Sequence, residues 1–204
     1  YTTLAHEGYP GHLYQTVYSR LYENSITDNP VRGVLSFSGF VEGWAYYVEN
    51  LSYGYAAEVL LENGGSEADQ VLVQLLCLER NLQINLYCLL DLSIHYYGAD
   101  QEDVFRSLAA FGISDTATAD AIYDYIRREP TTYLKYYLSY LEILSLKEEA
   151  QELWKDQYSD LRFHTFLLQT GSSDFTNLEN RLQAQRPGTQ SLDVQRLEAQ
   201  PEQG

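Results

Sequence analysis

The chain of 204 residues has no methionine, two cysteines, four histidines, and only 13 lysines and arginines against 29 aspartates and glutamates. Each shortage excludes something. The resulting net charge of −16 excludes nucleic acid as a partner, because a phosphate backbone demands a basic surface. No apolar run approaches the ~20 residues of a bilayer span, so no membrane-crossing segment is expected, and no signal-peptide pattern opens the chain. Cys77 and Cys88 would stand about 16 Å apart on one continuous helix, far beyond disulfide reach, so buried free thiols are expected. There is no initiator methionine, and the first motif begins at residue 6. The chain therefore reads as the C-terminal part of a longer protein, with the N-terminal part of that protein as its partner. Any targeting region would lie outside this chain, which leaves cytoplasmic and secreted locations both open.

What is present is helical. Strand-period alternation is lacking, whereas apolar residues recur at helical spacing between clear breaks. Helices are expected over 13–23, 40–61, 67–97, 99–111, 114–128, 131–155, 160–170 and 174–185. Ser66 and Ser114 serve as N-caps, Gly98 and Gly112 as stops, and Pro130 ends the fifth segment, since the residue before proline disfavours helix. A chain that is 45% hydrophobic can bury one sizeable core. The expected architecture is an all-α multi-helix bundle or array with a central cleft, one domain over 1–182. Residues 183–204 change to a glutamine-rich, aromatic-free tail, with a docked helix around Leu192 to Ala199 as an option.

The chemistry concentrates in His6-Glu7-Gly8-Tyr9-Pro10-Gly11-His12. Zinc peptidases commonly carry two histidines four apart on one helical face with a glutamate between them as general base. Here the second histidine follows six residues after the first. On an undistorted helix that is about 240° of rotation and about 9 Å of rise, so the rings could not share an ion. Pro10 removes an N–H and clashes with the His6 carbonyl, while Gly8 and Gly11 allow unusual dihedrals. A bulged or interrupted helix could thus bring both rings to one metal. The alternative is a pair of surface or capping histidines beside a turn. A third ligand is available in Glu42, with Glu49 two turns on. Both acids sit on a largely apolar, aromatic segment where an unpaired carboxylate is costly.

The two segments H-E-x-x-P-G-H-x-x-Q, His6 to Gln15, and E-G-W-A-x-Y-x-E, Glu42 to Glu49, resemble the bacterial family known as domain of unknown function 885. That family is regarded as a zinc metallopeptidase group, similar in helical architecture to the carboxypeptidase Taq and thimet oligopeptidase families. The resemblance continues through Arg80, Asp91 and His95, the tyrosine-rich run 130–142, and Phe163-His164, over roughly residues 1–182. Ser139 stands where glycine is expected in the tyrosine-rich run. The resemblance implies that His6, His12 and Glu42 bind zinc and that Glu7 activates a water for peptide-bond hydrolysis. Glu49 would then be a partner to a ligating histidine or an alternative ligand. Tyr137, Tyr140 or His164 would stabilise the oxyanion.

Other residues keep two readings. Arg80, in an apolar stretch, could bind a substrate carboxylate or pair with an internal acid. Asp91 and His95, four apart, share a helical face and can pair. As a whole the sequence points to a zinc-dependent hydrolase acting on a peptide substrate. A non-catalytic peptide-binding helical domain with a structural or lost metal site is the alternative. A di-iron carboxylate bundle is disfavoured, because it needs Glu-x-x-His pairs and this chain has none.

Overall fold

The structure is a computed structural model that describes residues 1–26 and 35–186. Among the described residues nine α-helices follow in order: α1 Thr2–Glu7, α2 His12–Ile26, α3 Ser38–Glu62, α4 Glu67–His95, α5 Gln101–Ala110, α6 Thr116–Arg128, α7 Leu134–Trp154, α8 Asp160–Thr170 and α9 Phe175–Gln183. A short 3-10 turn, Lys155–Gln157, separates α7 from α8. Among the described residues there is no strand, so the fold is all-α. The expected docked helix at Leu192–Ala199 lies outside the described residues.

Local chemistry explains the helix starts. Ser66 accepts from the Asp69 amide while the Asp69 carboxylate accepts from the Ser66 amide, a reciprocal box that satisfies two otherwise orphaned donors. Asp100 and Asp103 repeat the arrangement at α5. At α6 the cap is Asp115, whose side chain accepts from the Thr118 amide, one residue later than the expected Ser114. Asp91 and His95 do not pair as the sequence allowed. The buried Asp91 accepts from the Thr131 amide at 2.7 Å, holding a residue whose φ is +66°, and His95 Nε2 lies 3.0 Å from the Ile126 carbonyl. Each partner is a backbone group brought in by the fold, which helical spacing cannot reveal.

Residues 1–182 do not form a single compact body. One compact unit comprises Tyr1–Gln15 and Ser38–Leu141, and the other comprises Thr16–Phe37 and Glu142–Gly204. Both α2 and α7 run from one unit into the other, so no linker composition marks the division. In the first unit α3 packs on α1 and α4, and α6 packs on α4 and α5. Its core includes Leu86, Leu90, Val104, Leu108 and Ile126, with a second cluster of Tyr46, Ile84 and Cys88 flanked by the tyrosines of α7. Gly43 of α3 faces Ser139 of α7 so closely that a Cβ on residue 43 would lie 2.7 Å from the Ser139 Cβ. Small residues on both sides set that approach, and Ser139 meets the requirement without being glycine. In the second unit Trp154 is buried against Phe166, with the Arg162 guanidinium 4.2 Å above its ring.

Both thiols are free, as expected, but only Cys88 is fully buried. Burial pushes it up to about 12, whereas Cys77 is half-buried and touches Asn50 and Asn81.

Candidate metal centre

The first histidine motif folds as an interrupted helix. Helix α1 stops at Glu7, residues 8–11 turn through a cis Tyr9–Pro10 bond, and α2 restarts at His12. The turn is compressed. A Cβ on Gly11 would lie 1.7 Å from the His6 carbonyl oxygen, so only glycine fits there. Trp44 of α3 donates its indole N–H to the Pro10 carbonyl at 3.0 Å, tying the turn to the helix that carries Glu42.

This break brings the rings together. The His6 and His12 centroids are 4.9 Å apart, edge to face. Glu42 Oε2 lies 3.4 Å from His12 Nε2 and 3.8 Å from His6 Nε2. The three residues offer ligand atoms that all lie within 4.8 Å of one another. Glu42 Oε2 is buried and makes no hydrogen bond of good geometry among the described residues; its ion-pair contact with His12 is long, at 3.4 Å. A buried carboxylate oxygen left in this state is costly unless a cation completes it.

Behind the cluster, His6 Nδ1 meets Glu49 Oε2 at 2.8 Å, which leaves Nε2 as the atom directed at Glu42. Arg80 of α4 donates from Nε to the other Glu49 oxygen at 3.3 Å. Arg80 therefore does pair with an internal acid, and it also lines the adjoining cleft. Glu42 raises the His12 pKa above its ordinary value, against the opposing effect of burial. Burial acts to raise Glu42, but His12, His6 and Lys135 outweigh it and leave the carboxyl below its usual range.

A cleft of about 580 Å³ opens beside the cluster, lined by His6, Glu7, Glu49, Arg80, Tyr133 and Tyr136 among others. Glu7 is exposed on it. Tyr136 stacks near the His6 ring at 6.0 Å between centroids, and burial first, then Glu42, pushes its hydroxyl up to about 12. Tyr136, which the sequence did not single out, is the tyrosine of α7 that lines the cleft. Tyr137 and Tyr140 instead pack around the buried Tyr46, with centroids 6.5 and 5.5 Å from it. One residue of offset turns a helical side chain by about 100°, and no signal in a run of tyrosines identifies the member that faces the cleft. His164 belongs to the second unit, on α8, half-buried beside Phe163, where burial lowers its pKa.

Residues 1–182 match a family described as bacterial protein of unknown function, DUF885. The chain belongs to that family. Two solved structures resemble this DUF885 chain. One is a candidate lipoprotein of unknown function from Shewanella oneidensis, 26% identical with a TM-score of 0.66, covering 89% of this chain and 31% of that one. The other is a candidate lipoprotein from Colwellia psychrerythraea, 23% identical with a TM-score of 0.65, covering 89% of this chain and 29% of its own. The DUF885 chain thus spans under a third of the length of either protein. The comparisons do not support the C-terminal placement read from the sequence. Among curated proteins, none matches.

Proposed function

We propose that this DUF885 domain binds zinc through His6, His12 and Glu42 and hydrolyses peptide bonds. The observation that carries the reading is the convergence of two histidine nitrogens and a buried, hydrogen-bond-free Glu42 oxygen within 4.8 Å. The donor set fits the ion. Donor atoms around a tetrahedral zinc lie about 3.3 Å apart, close to the 3.4 and 3.8 Å separations seen from Glu42. Two imidazoles and a carboxylate also match the donors of catalytic zinc sites that keep a fourth position open.

Zinc, when bound, supplies Lewis acidity and a water acidic enough to ionise near neutral pH. The chain's own residues do the rest. Glu7, at the end of α1 on the cleft, accepts the proton of that water and later returns it to the leaving amine. The Tyr136 hydroxyl, kept protonated at neutral pH, donates a hydrogen bond to the developing oxyanion. Glu49 holds His6 by its Nδ1, fixing which nitrogen is left for coordination, and Arg80 holds Glu49. The lipoprotein descriptions of the two similar structures support a site of action outside the cytoplasmic membrane. Among the described residues no helix is long and apolar enough to cross a membrane.

The test is metal analysis and peptide hydrolysis by the zinc-loaded protein and its Glu7→Gln variant. Glu7→Gln should keep stoichiometric zinc and lose turnover by about 10²-fold or more. Unchanged turnover in that variant, or no zinc in either protein, defeats the reading.

A further inference from the structure

Helix α6 carries two small residues one turn apart, Ala117 and Ala121, with Ile122, Tyr125 and Ile126 beside them. Small side chains on a helix face leave a recess wherever larger neighbours stand on both sides. Here the neighbours are Tyr87 of α4 and Tyr133, the residue before α7. The result is a groove of about 520 Å³ whose lining, Tyr87, Ala121, Ile122, Tyr125, Ile126 and Tyr133 with Ala117 and Thr118, contains no charged group. That is unusual ground on a chain of net charge −16. It disfavours a charged or strongly hydrated occupant.

The groove adjoins the metal cleft. Tyr125 and Tyr133 line both spaces, with their rings 6.1 Å apart, and Tyr87 meets Tyr133 at 4.7 Å. The rings of Tyr125 and Tyr133 form the wall between an acidic, histidine-bearing cleft and an apolar recess, with Tyr87 backing Tyr133 on the apolar side. The backbone carrying Tyr133 is itself held in place, because the Asp91 carboxylate anchors the Thr131 amide two residues earlier.

We infer that this groove is a specificity pocket, taking the apolar side chain, aromatic or branched aliphatic, of the substrate residue that flanks the bond cleaved at His6, His12 and Glu42. The inference rests on the peptidase reading for the word substrate. The pocket itself can be tested without turnover. A shape-matched apolar recess discriminates side chains by about ten- to several hundredfold, and filling it removes the discrimination.

The experiment is an NMR titration of the full zinc-loaded chain with N-acetyl-phenylalaninamide and N-acetyl-glycinamide, repeated on Ala121→Trp and Ala117→Phe. Both substitutions fall at exposed helix positions, and circular dichroism with zinc affinity checks that each variant is folded. The phenylalanine probe should bind at least about tenfold more tightly than the glycine probe, and each variant should erase that preference with zinc affinity unchanged. Equal affinity for the two probes overturns the inference, and so does a preference that survives both variants. Self-association abolished by Ala121→Trp, without any preference between probes, assigns the groove to a second copy of the chain and likewise overturns it. A preference with no peptide hydrolysis leaves the pocket standing and removes the peptidase reading, while hydrolysis without a preference does the reverse.

Discussion

Glu42 and Glu49 show how burial and partner divide one residue type into two jobs. Two turns apart on α3, they are separated by about 10 Å along the helix, so they cannot meet one ion through the same geometry. Glu49 is committed to His6 and Arg80, while Glu42 Oε2 has no hydrogen bond. Glu42→Ala should therefore abolish stoichiometric zinc, and Glu49→Ala should weaken affinity by about 10–100-fold, the usual cost of removing a histidine's supporting carboxylate. Competition against a chromophoric chelator reads both, and a larger loss for Glu49→Ala would reverse the roles. A pH dependence follows from His12. Zinc needs its imidazole neutral, and Glu42 raises its pKa, so proton competition sets in above the ordinary 6.5 as pH falls. Without metal the sign is opposite. A histidine with a raised folded pKa contributes stability that is complete below the unfolded value and lost as pH rises through the folded one. The thermal shift produced by zinc should therefore widen between about pH 6 and 8. A shift constant across that window would contradict the ligand assignment for His12.

At the scale of elements, Gly43 and Gly54, two of the three glycines of α3, should respond to alanine with opposite signs. Gly43 sits against Ser139, where a Cβ would be 2.7 Å from another, while Gly54 has nothing within 4 Å of the same position. Gly43→Ala forces α3 away from α7 and should cost about 1–3 kcal/mol. Gly54→Ala only removes helix-interior glycine and should stabilise by about 0.5–1 kcal/mol. Urea unfolding of the two variants checks the pair, and equal effects would mean that the close approach is not limiting. The helices themselves were legible in the sequence, most of them to within a few residues, because caps and stops act locally. Ser66 and Asp174 open α4 and α9 by side-chain hydrogen bonds within three residues, and a sequence displays such contacts directly. The split of 1–182 into two units was not legible. It depends on where α2 and α7 cross from one core to the other, and their composition does not change there.

For the whole molecule, the apolar balance is incomplete. Helix α4 exposes Leu75, Leu78, Leu82 and Leu89, each more than half accessible, along one side of a 29-residue helix. A stripe of this kind exceeds the scattered apolar residues normal on a surface. The chain should bind anilinonaphthalene sulfonate in its native state, and Leu75→Glu with Leu82→Glu should remove most of that fluorescence without lowering helicity. On the proposed peptidase reading, this chain should turn over a peptide more slowly than a longer chain that contains the same domain. It spans under a third of the length of the two proteins it resembles, and the walls that orient a peptide and exclude water can supply about 7–11 kcal/mol of a barrier. Turnover by this chain equal to that of a full-length relative, measured on the same peptide, would show that its cleft is complete.

The amino-acid order by itself determined the helical class, the places where helices begin and stop, and the set of residues able to bind a cation. These follow from periodicity, capping and the scarcity of histidine, all read within a few positions of each residue. Tertiary structure decided which of those residues meet. His6 and His12 converge because the chain breaks at Gly8 to Gly11 and Trp44 ties the break to α3. Tyr136 faces the cleft and Tyr137 does not because of the rotation of α7 against Tyr46. Rotations and crossings of this kind are set by the packing of distant segments, a quantity that no local pattern carries.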